Sequence, residues 1–366
     1  MAIGIVDLAD DAQTRGREFG ERRREQIKAY LSAWLDSLAT GGVGDPRAYV
    51  AAMLRDTDFI TDIRKHTPDL LEEAQAIAAG AAQPPELVLA SQFMDEEWAY
   101  RPGFRAKAAA LEKCSSVAIH AREGTTWIGQ NMDLGDFTDG HQILMRIGPH
   151  GAQPGALVFT IGGMIGLLGV NSHGVGVCVN SLPQLASARV GVPVAFVIRR
   201  LLQADNAQEA ARILKSIPHA TGQHYLIADP AGIRSFEASA AGVFEYHAPD
   251  PARVLHTNHP LAQDKGTPTG DATNTVTRLN CLVRRLSGGD PGLEAIQAAL
   301  SSTDDPDHPV SRVRVGGRVS ALTGVINFTT GSMISALRPQ AVAIESWVSA
   351  GPPSLNAYQH VSLTKS

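Results

Sequence analysis

The sequence predicts an α+β fold in which two antiparallel sheets are covered by helices, and three observations carry that expectation. Residues 1–100 have the apolar spacing of helices almost throughout. From Cys114 onward, short segments alternate apolar and polar residues with Gly, Asn and Ser between them, the pattern of strands packed on a core. The elements run helices, strands, helices, strands without regular βα alternation, which argues against a doubly wound parallel sheet.

In the N-terminal part, Ile27, Leu31, Trp34, Leu35 and Leu38 fall on one face of a helix over 15–39, which Gly41-Gly42 stops. A second helix is predicted over 46–65. Thr67-Pro68 reads as the N-cap and first-turn proline of a third over 69–79, ending at Gly80, and Pro84-Pro85 opens a fourth reaching Trp98. Residues 101–113, with Pro102, Gly103 and several alanines, read as a connecting segment. Strands follow at 115–120, 126–130, 143–147 and 157–161. Asn171-Ser172-His173-Gly174 suits a hairpin turn between strands at 167–170 and 175–179. Helices at 194–202 and 207–215 precede strands at 225–228, 233–237, 243–246 and 254–257. Helices at 275–286 and 293–300 and strands at 322–328 and 342–347 close the chain.

At 366 residues and 44% hydrophobic, the chain can bury a core of one large or two ordinary domains. Its 32 Lys+Arg against 37 Asp+Glu give a net charge of -5, so no basic field recommends nucleic acid or an anionic membrane as partner. Cys114, Cys178 and Cys281 are odd in number and far apart, which indicates neither a disulfide framework nor a zinc site. A reducing compartment follows. The acidic N-terminus lacks the basic region of a signal peptide, so a cytoplasmic location is expected. The longest apolar stretch, 156–170, is broken by glycines and shorter than the roughly 20 residues of a membrane span. GxxxxGK[ST], strand-linked GxGxxG with an acidic partner and GxSxG are absent, and no cofactor is expected. A homo-oligomer is compatible with this composition.

Cys114 is the sharpest candidate for chemistry. Taken alone, a cysteine is more often a small buried hydrophobe. Cys114, however, begins the first strand of the β-rich part, follows a poorly anchored segment and is succeeded by Ser115 and Ser116. If the Lys113–Cys114 bond is cut, Cys114 gains an α-amine of pKa about 7.7–8.0, able to serve as base for its own thiol. Such a site needs no catalytic histidine. His256 and His259 lack a third ligand at metal spacing, and structural hydrogen bonding is the better reading.

The ordered segments GREFG at 16–20, PDLLEEAQAIAAGA at 68–81, CSSV at 114–117, GQNMD at 129–133, VNSHGVGVCVNSL at 170–182, FEAS at 236–239, HTNH at 256–259 and HPVSRVR at 308–314 resemble the isopenicillin-N acyltransferase family of N-terminal nucleophile (Ntn) hydrolases. The resemblance covers most of the chain. It implies a four-layer αββα sandwich made as a precursor: a mostly helical pro-segment, 1–113, and a β chain, 114–366, separated by self-cleavage between Lys113 and Cys114. By motif, Cys114 is the nucleophile, Asp133 the carboxylate that orients its α-amine, and Asn258 the oxyanion donor. Ser116 and Ser239 assist processing or positioning. Read without the resemblance, Asp133 and Asn258 could each cap a turn, and Ser239 sits in a Ser/Ala/Gly stretch.

Two departures stand out. Lys113 occupies a place where the family's best-known members have glycine, and Ser320 falls where a late substrate-holding arginine would lie. A substrate other than a penicillin is therefore expected. The implied activity is hydrolysis of a small linear amide through an acyl-Cys114 thioester, with acyl transfer to an amine as the alternative. Arg199-Arg200 and Arg284-Arg285, the basic pairs that might meet coenzyme A phosphates, lie on predicted helices where solvated surface is the default. An uncleaved, inactive binding protein of the same fold is the reading that Lys113 favours. A papain-like protease fits poorly, because its separate His base and cysteine signature are missing.

Overall fold

A computed structural model describes residues 2–8, 11–101, 114–263, 273–317, 319–320 and 324–365. Residues 102–113 of the connecting segment expected at 101–113, with the Lys113 half of the expected cleavage site, lie outside the described residues, as do 322–323 of the strand expected at 322–328. The rest of that strand is displaced: it runs over Asn327–Leu337, because it pairs along the whole of Thr126–Gly135.

Two sheets form the centre. The first has eight strands in the order β1 (Gly4–Leu8), β4 (Gln142–Ile147), β5 (Ala156–Ile161), β6 (Leu168–Asn171), β7 (Gly176–Ser181), β8 (Gln223–Asp229), β9 (Gly232–Ser239) and β10 (Gly242–Glu245). The second has six, β11 (Arg253–His256), β2 (Ser115–His120), β3 (Thr126–Gly135), β12 (Asn327–Leu337), β13 (Ala343–Ser349) and β14 (Gln359–Thr364). All pairings are antiparallel except β1 with β4.

The sheets face each other where β2 and β3 pack on β7, β8 and β9. Helices α8 (Val194–Leu201) and α9 (Ala207–Ser216) cover the outer face of the first sheet. Helices α10 (Thr273–Leu286) and α11 (Leu293–Leu300) cover the second. The result is the αββα sandwich. The Gln-Asn pair of β3 pins three of its layers. Gln130 Oε1 accepts from Val179 N at 2.9 Å and its amide donates to Val179 O, joining the sheets. Asn131 Nδ2 donates to Leu300 O at 2.8 Å and Val310 O at 3.0 Å, fastening the end of α11.

The N-terminal part carries α1 (Ala12–Arg22), α2 (Arg24–Thr40), α3 (Pro46–Asp56), α4 (Phe59–His66), α5 (Pro68–Ala81), α6 (Pro85–Ser91) and α7 (Met94–Tyr100). It is less purely helical than expected, because β1 joins the first sheet. Three of the four expected helices are broken. Arg23, which donates to Ile5 O at 3.3 Å, separates α1 from α2, so that the chain turns between β1 and the helical layer. Thr57 and Asp58 separate α3 from α4, and Asp58 N donates to Arg189 O at 2.8 Å. At the α6–α7 break, Gln92 donates to Gly163 O at 3.0 Å and accepts from Ile165 N at 2.8 Å. Each break serves a long-range bond that local periodicity does not encode.

Gly80 lies inside α5 rather than ending it, and the left-handed residue after the helix is Ala82 at φ 52°. The glycine answers to packing. A Cβ at Gly80 would stand 2.2 Å from Arg17 O, and one at Gly16 would stand 2.3 Å from Glu73 O. The GREFG and AAGA segments thus permit close approach of α1 and α5. Between these helices Glu73 is buried and accepts from Arg15 Nη2 at 2.7 Å and Arg199 Nη1 at 2.8 Å. Arg199 is therefore no surface residue: it ties α8 to the N-terminal helices. Burial alone would raise the Glu73 carboxyl, but the two guanidinium groups hold it below the usual range.

Candidate active site

The two-residue period of β2 decides what the Cys-Ser-Ser run can reach. Val117, Ile119 and Ala121 join the core beneath α10 and α11, whereas Cys114 and Ala118 belong to the larger core. Ser115 accordingly meets α10, and Ser116 points across the sandwich, donating to Asn180 Oδ1 on β7 at 2.6 Å.

Cys114 is 4% exposed, and its Sγ lies 3.4 Å from Met132 Sδ. It lines a cavity of about 30 Å³ together with Met132, Asp133, Asp95, Ser181 and Gln223. By this measure the space holds roughly two waters. Asp133 is buried on β3, opposite Thr329 in register, and its Oδ1 accepts from Thr329 Oγ1 at 2.7 Å. That hydroxyl is itself fixed, because it accepts from Arg312 N at 2.9 Å and so directs its own proton at the carboxylate.

Asn258 follows β11 and is held on four sides. Its N–H donates to Thr275 Oγ1 at 2.7 Å, and its carbonyl accepts from Gln184 Nε2 at 3.0 Å. The side-chain oxygen accepts from Arg278 Nη2 at 2.9 Å, and Nδ2 donates to Ser181 O at 3.0 Å. A guanidinium can only donate and a carbonyl only accept, so the amide orientation is unambiguous. An amide nitrogen carries two hydrogens, and Ser181 O takes one.

Arg278, on α10, was not singled out by the sequence reading. It is 0% exposed and spans the site. Nη1 donates to Cys114 O at 2.6 Å and to Ser115 Oγ at 2.9 Å, Nη2 to Asn258, and Nε to Asn274 Oδ1 at 2.8 Å. One rigid fork therefore sets the Cys114 backbone relative to the Asn258 amide. A signal existed. Asn274, Arg278, Cys281 or Leu282 and Leu286 make the buried stripe of α10, and an arginine inside an apolar stripe needs acceptors on its far side.

Ser239 Oγ accepts from Ala241 N at 3.2 Å, a bond within the β9–β10 turn. Of the expected site residues, Cys114 and Asp133 line the cavity, whereas Ser116, Asn258 and Ser239 do not. Ser116 instead enters a buried network. Asn180 Oδ1 also meets His224 Nδ1 at 3.0 Å, and His224 Nε2 meets Ser235 Oγ at 2.8 Å. The His224 ring stacks on His256 at 3.6 Å and 6°. Burial, then the neighbouring His256, push the His224 imidazole well below its ordinary pKa, so it is neutral. Burial would raise the Glu237 carboxyl, yet His256 and the Leu261 and Ala262 N–H groups hold it low. His256 Nδ1 faces Thr257 O at 2.8 Å, and His259 Nδ1 faces Thr275 Oγ1 at 2.9 Å. Both rings serve local hydrogen bonds. Burial raises the Cys178 thiol, with Cys114 adding to the effect, so Cys178 stays protonated.

Among the described residues, no helix is long and apolar enough to cross a membrane.

The family described as Acyl-coenzyme A:6-aminopenicillanic acid acyl-transferase matches residues 120–313, more than half of the chain. The matched span contains Asp133, Asn258 and Arg278 and begins shortly after Cys114. The chain is 26% identical over 311 residues to the acyl-coenzyme A:6-aminopenicillanic-acid-acyltransferase 40 kDa form of Emericella nidulans, covering 81% of this chain and 82% of that protein. The structure of penicillin V acylase from Agrobacterium tumefaciens aligns with 69% of this chain and 86% of its own, at 15% identity and a TM-score of 0.36, a likeness too low to bear on the fold. By the extent of the family match, this chain belongs to the acyl-coenzyme A:6-aminopenicillanic acid acyl-transferase family.

Proposed function

We propose that the protein is an Ntn amidohydrolase that cleaves itself between Lys113 and Cys114 and then hydrolyses small linear amides through an acyl-Cys114 thioester. The observation that carries the reading is the single Arg278 fork that joins the Cys114 carbonyl to the Asn258 amide, beside a cavity that Cys114 and Asp133 both line.

In this mechanism the freed α-amine of Cys114 takes the thiol proton, and the Asp133 carboxylate orients and charges that amine. The thiolate attacks the amide carbonyl. The oxyanion that forms meets the second Nδ2 hydrogen of Asn258, a donor held in place before the reaction begins. Collapse breaks the C–N bond, and the α-ammonium returns its proton to the departing amine. Water, activated by the same amine, then attacks the thioester and frees the acid and the thiol.

The two products of self-cleavage, residues 1–113 and 114–366, stay together in this account. β1 of the first pairs with β4 of the second, and Glu73 of the first holds Arg199 of the second. Separation would break the β1–β4 sheet bonds and the Glu73–Arg199 contact and expose the apolar surface packed between the two products.

Water is favoured as the acceptor, and a coenzyme A thioester disfavoured as the donor, because the basic pairs of the β chain that might meet its phosphates have partners. Arg199 pairs with Glu73, Arg200 Nη1 donates to Gln203 Oε1 at 2.8 Å, and Arg285 Nη2 lies 2.5 Å from Asp304 Oδ1. The name of the Emericella nidulans relative favours the second reading, acyl transfer from a coenzyme A thioester to an amine. A panel of N-acyl amino acids, acylated amines and acyl-coenzyme A esters decides between them. Hydrolysis of at least one simple amide should outpace every transfer reaction; faster transfer from coenzyme A to an amine would refute the hydrolase while leaving acyl-Cys114 chemistry intact.

A further inference from the structure

The cavity beside Cys114 is apolar over most of its wall, which includes Met94, Trp98, Met132, Met164 and Ile198. Methionines have three rotatable bonds and repack readily around a bound group. Its polar end is built differently. Gln223, 1% exposed at the start of β8, donates through Nε2 to Asp95 Oδ2 at 2.5 Å and to Thr221 Oγ1 at 3.4 Å. The Asp95 carboxylate can only accept from the amide, which fixes the flip of the Gln223 side chain and sets the same nitrogen towards Thr221. Gln223 Oε1 is left as a buried acceptor that receives no hydrogen bond from any described residue.

This acceptor lies close to the catalytic machinery. Gln223 is paired in register with Ser181, whose carbonyl accepts from Asn258 Nδ2 and whose hydroxyl donates to Asp95 Oδ2 at 3.2 Å. Gln223 lines this cavity beside Asp95 and Ser181, and a purely hydrocarbon occupant leaves its buried oxygen unbonded.

We propose that Gln223 reads a hydrogen-bond donor on the acyl part of the substrate, so the preferred acyl groups are apolar chains carrying one hydroxyl, amide N–H or amine. The proposal rests on acyl-Cys114 chemistry, since that chemistry makes the cavity beside the thiol the place where the acyl group sits. It narrows the substrate class from any small amide to N-acyl compounds with a functionalised chain.

The test walks a hydroxyl along the short acyl chain of an N-butanoyl amide, matched to the small cavity, and compares kcat/KM with that of the parent. At one position the hydroxyl should raise kcat/KM about 10-fold or more over butanoyl. In Gln223→Met the ratio of that compound to the parent should fall to about one. A wild-type enzyme that prefers the parent at every position overturns the proposal, whether or not the variant folds. If no amide in the series is turned over, the proposed function fails instead. The corresponding free acids are then compared by calorimetry on the wild-type protein: tighter binding of one hydroxylated acid supports the role of Gln223, and equal or absent binding overturns it.

Discussion

Asn258→Asp is expected to lower kcat by about 10³-fold, with KM little changed. The substitution is isosteric and keeps an oxygen facing Arg278 Nη2, now as a charge-assisted bond, so the site's architecture survives. What it removes is the nitrogen that donates to Ser181 O and, in the mechanism above, to the oxyanion. It also puts a second negative charge where one develops in the transition state. A purely structural Asn258 would show its loss in stability, since the new oxygen faces the Ser181 carbonyl, while kcat of the folded variant stayed near wild type. Steady-state kinetics on the purified variant separates the two: a kcat within a few-fold of wild type would remove Asn258 from the reaction.

Arg278→Met should be the most damaging single change to both stability and rate. It strips donors from Cys114 O, Ser115 Oγ, Asn258 Oδ1 and Asn274 Oδ1 in a fully buried position. Losing partners for several buried acceptors costs on the order of 3–5 kcal/mol. Arg278→Lys keeps the charge but not the fork, and should recover part of the stability and less of the rate. The pH profile carries the functional content. A fixed cation beside Cys114 favours the thiolate and disfavours the α-ammonium, so it lowers both pKa values. Removing it raises them, and the acid limb of kcat/KM against pH should move up by about one unit in Arg278→Met but stay in place in Arg278→Lys. An unmoved acid limb in Arg278→Met would reduce Arg278 to a structural brace.

The residues legible in the sequence are those whose surroundings are local. Ser116 and Asp133 sit on strands whose alternation can be read directly, Cys114 stands immediately before β2 rather than beginning it, and the two-sheet architecture follows from the spacing of those strands. Arg278 was not legible because its four acceptors come from Cys114 and the start of β2, the loop after β11 and its own helix, 4 to 164 positions away in the chain. Gln223 begins a strand like any other polar residue, and only the bonds of its amide nitrogen to Asp95 and Thr221 expose its oxygen. Arg199 reads as helix surface until Glu73 of α5 is brought against it. β1 and β14, both missed, are edge strands of their sheets with partly polar faces, and such strands are specified by their neighbours more than by their own pattern. Gly80 was read as a helix stop because sequence position alone cannot separate a stop from a close helix contact.

The central claim is that Cys114 becomes a chain terminus, and intact-protein mass spectrometry under denaturing conditions tests it most directly. Freshly purified, catalytically active protein should give two species in equal amounts, residues 1–113 and a chain of 366 − 113 = 253 residues that begins at Cys114. Cys114→Ala should give only the uncut chain. A single 366-residue species in wild-type protein that still turns over an amide would contradict the account.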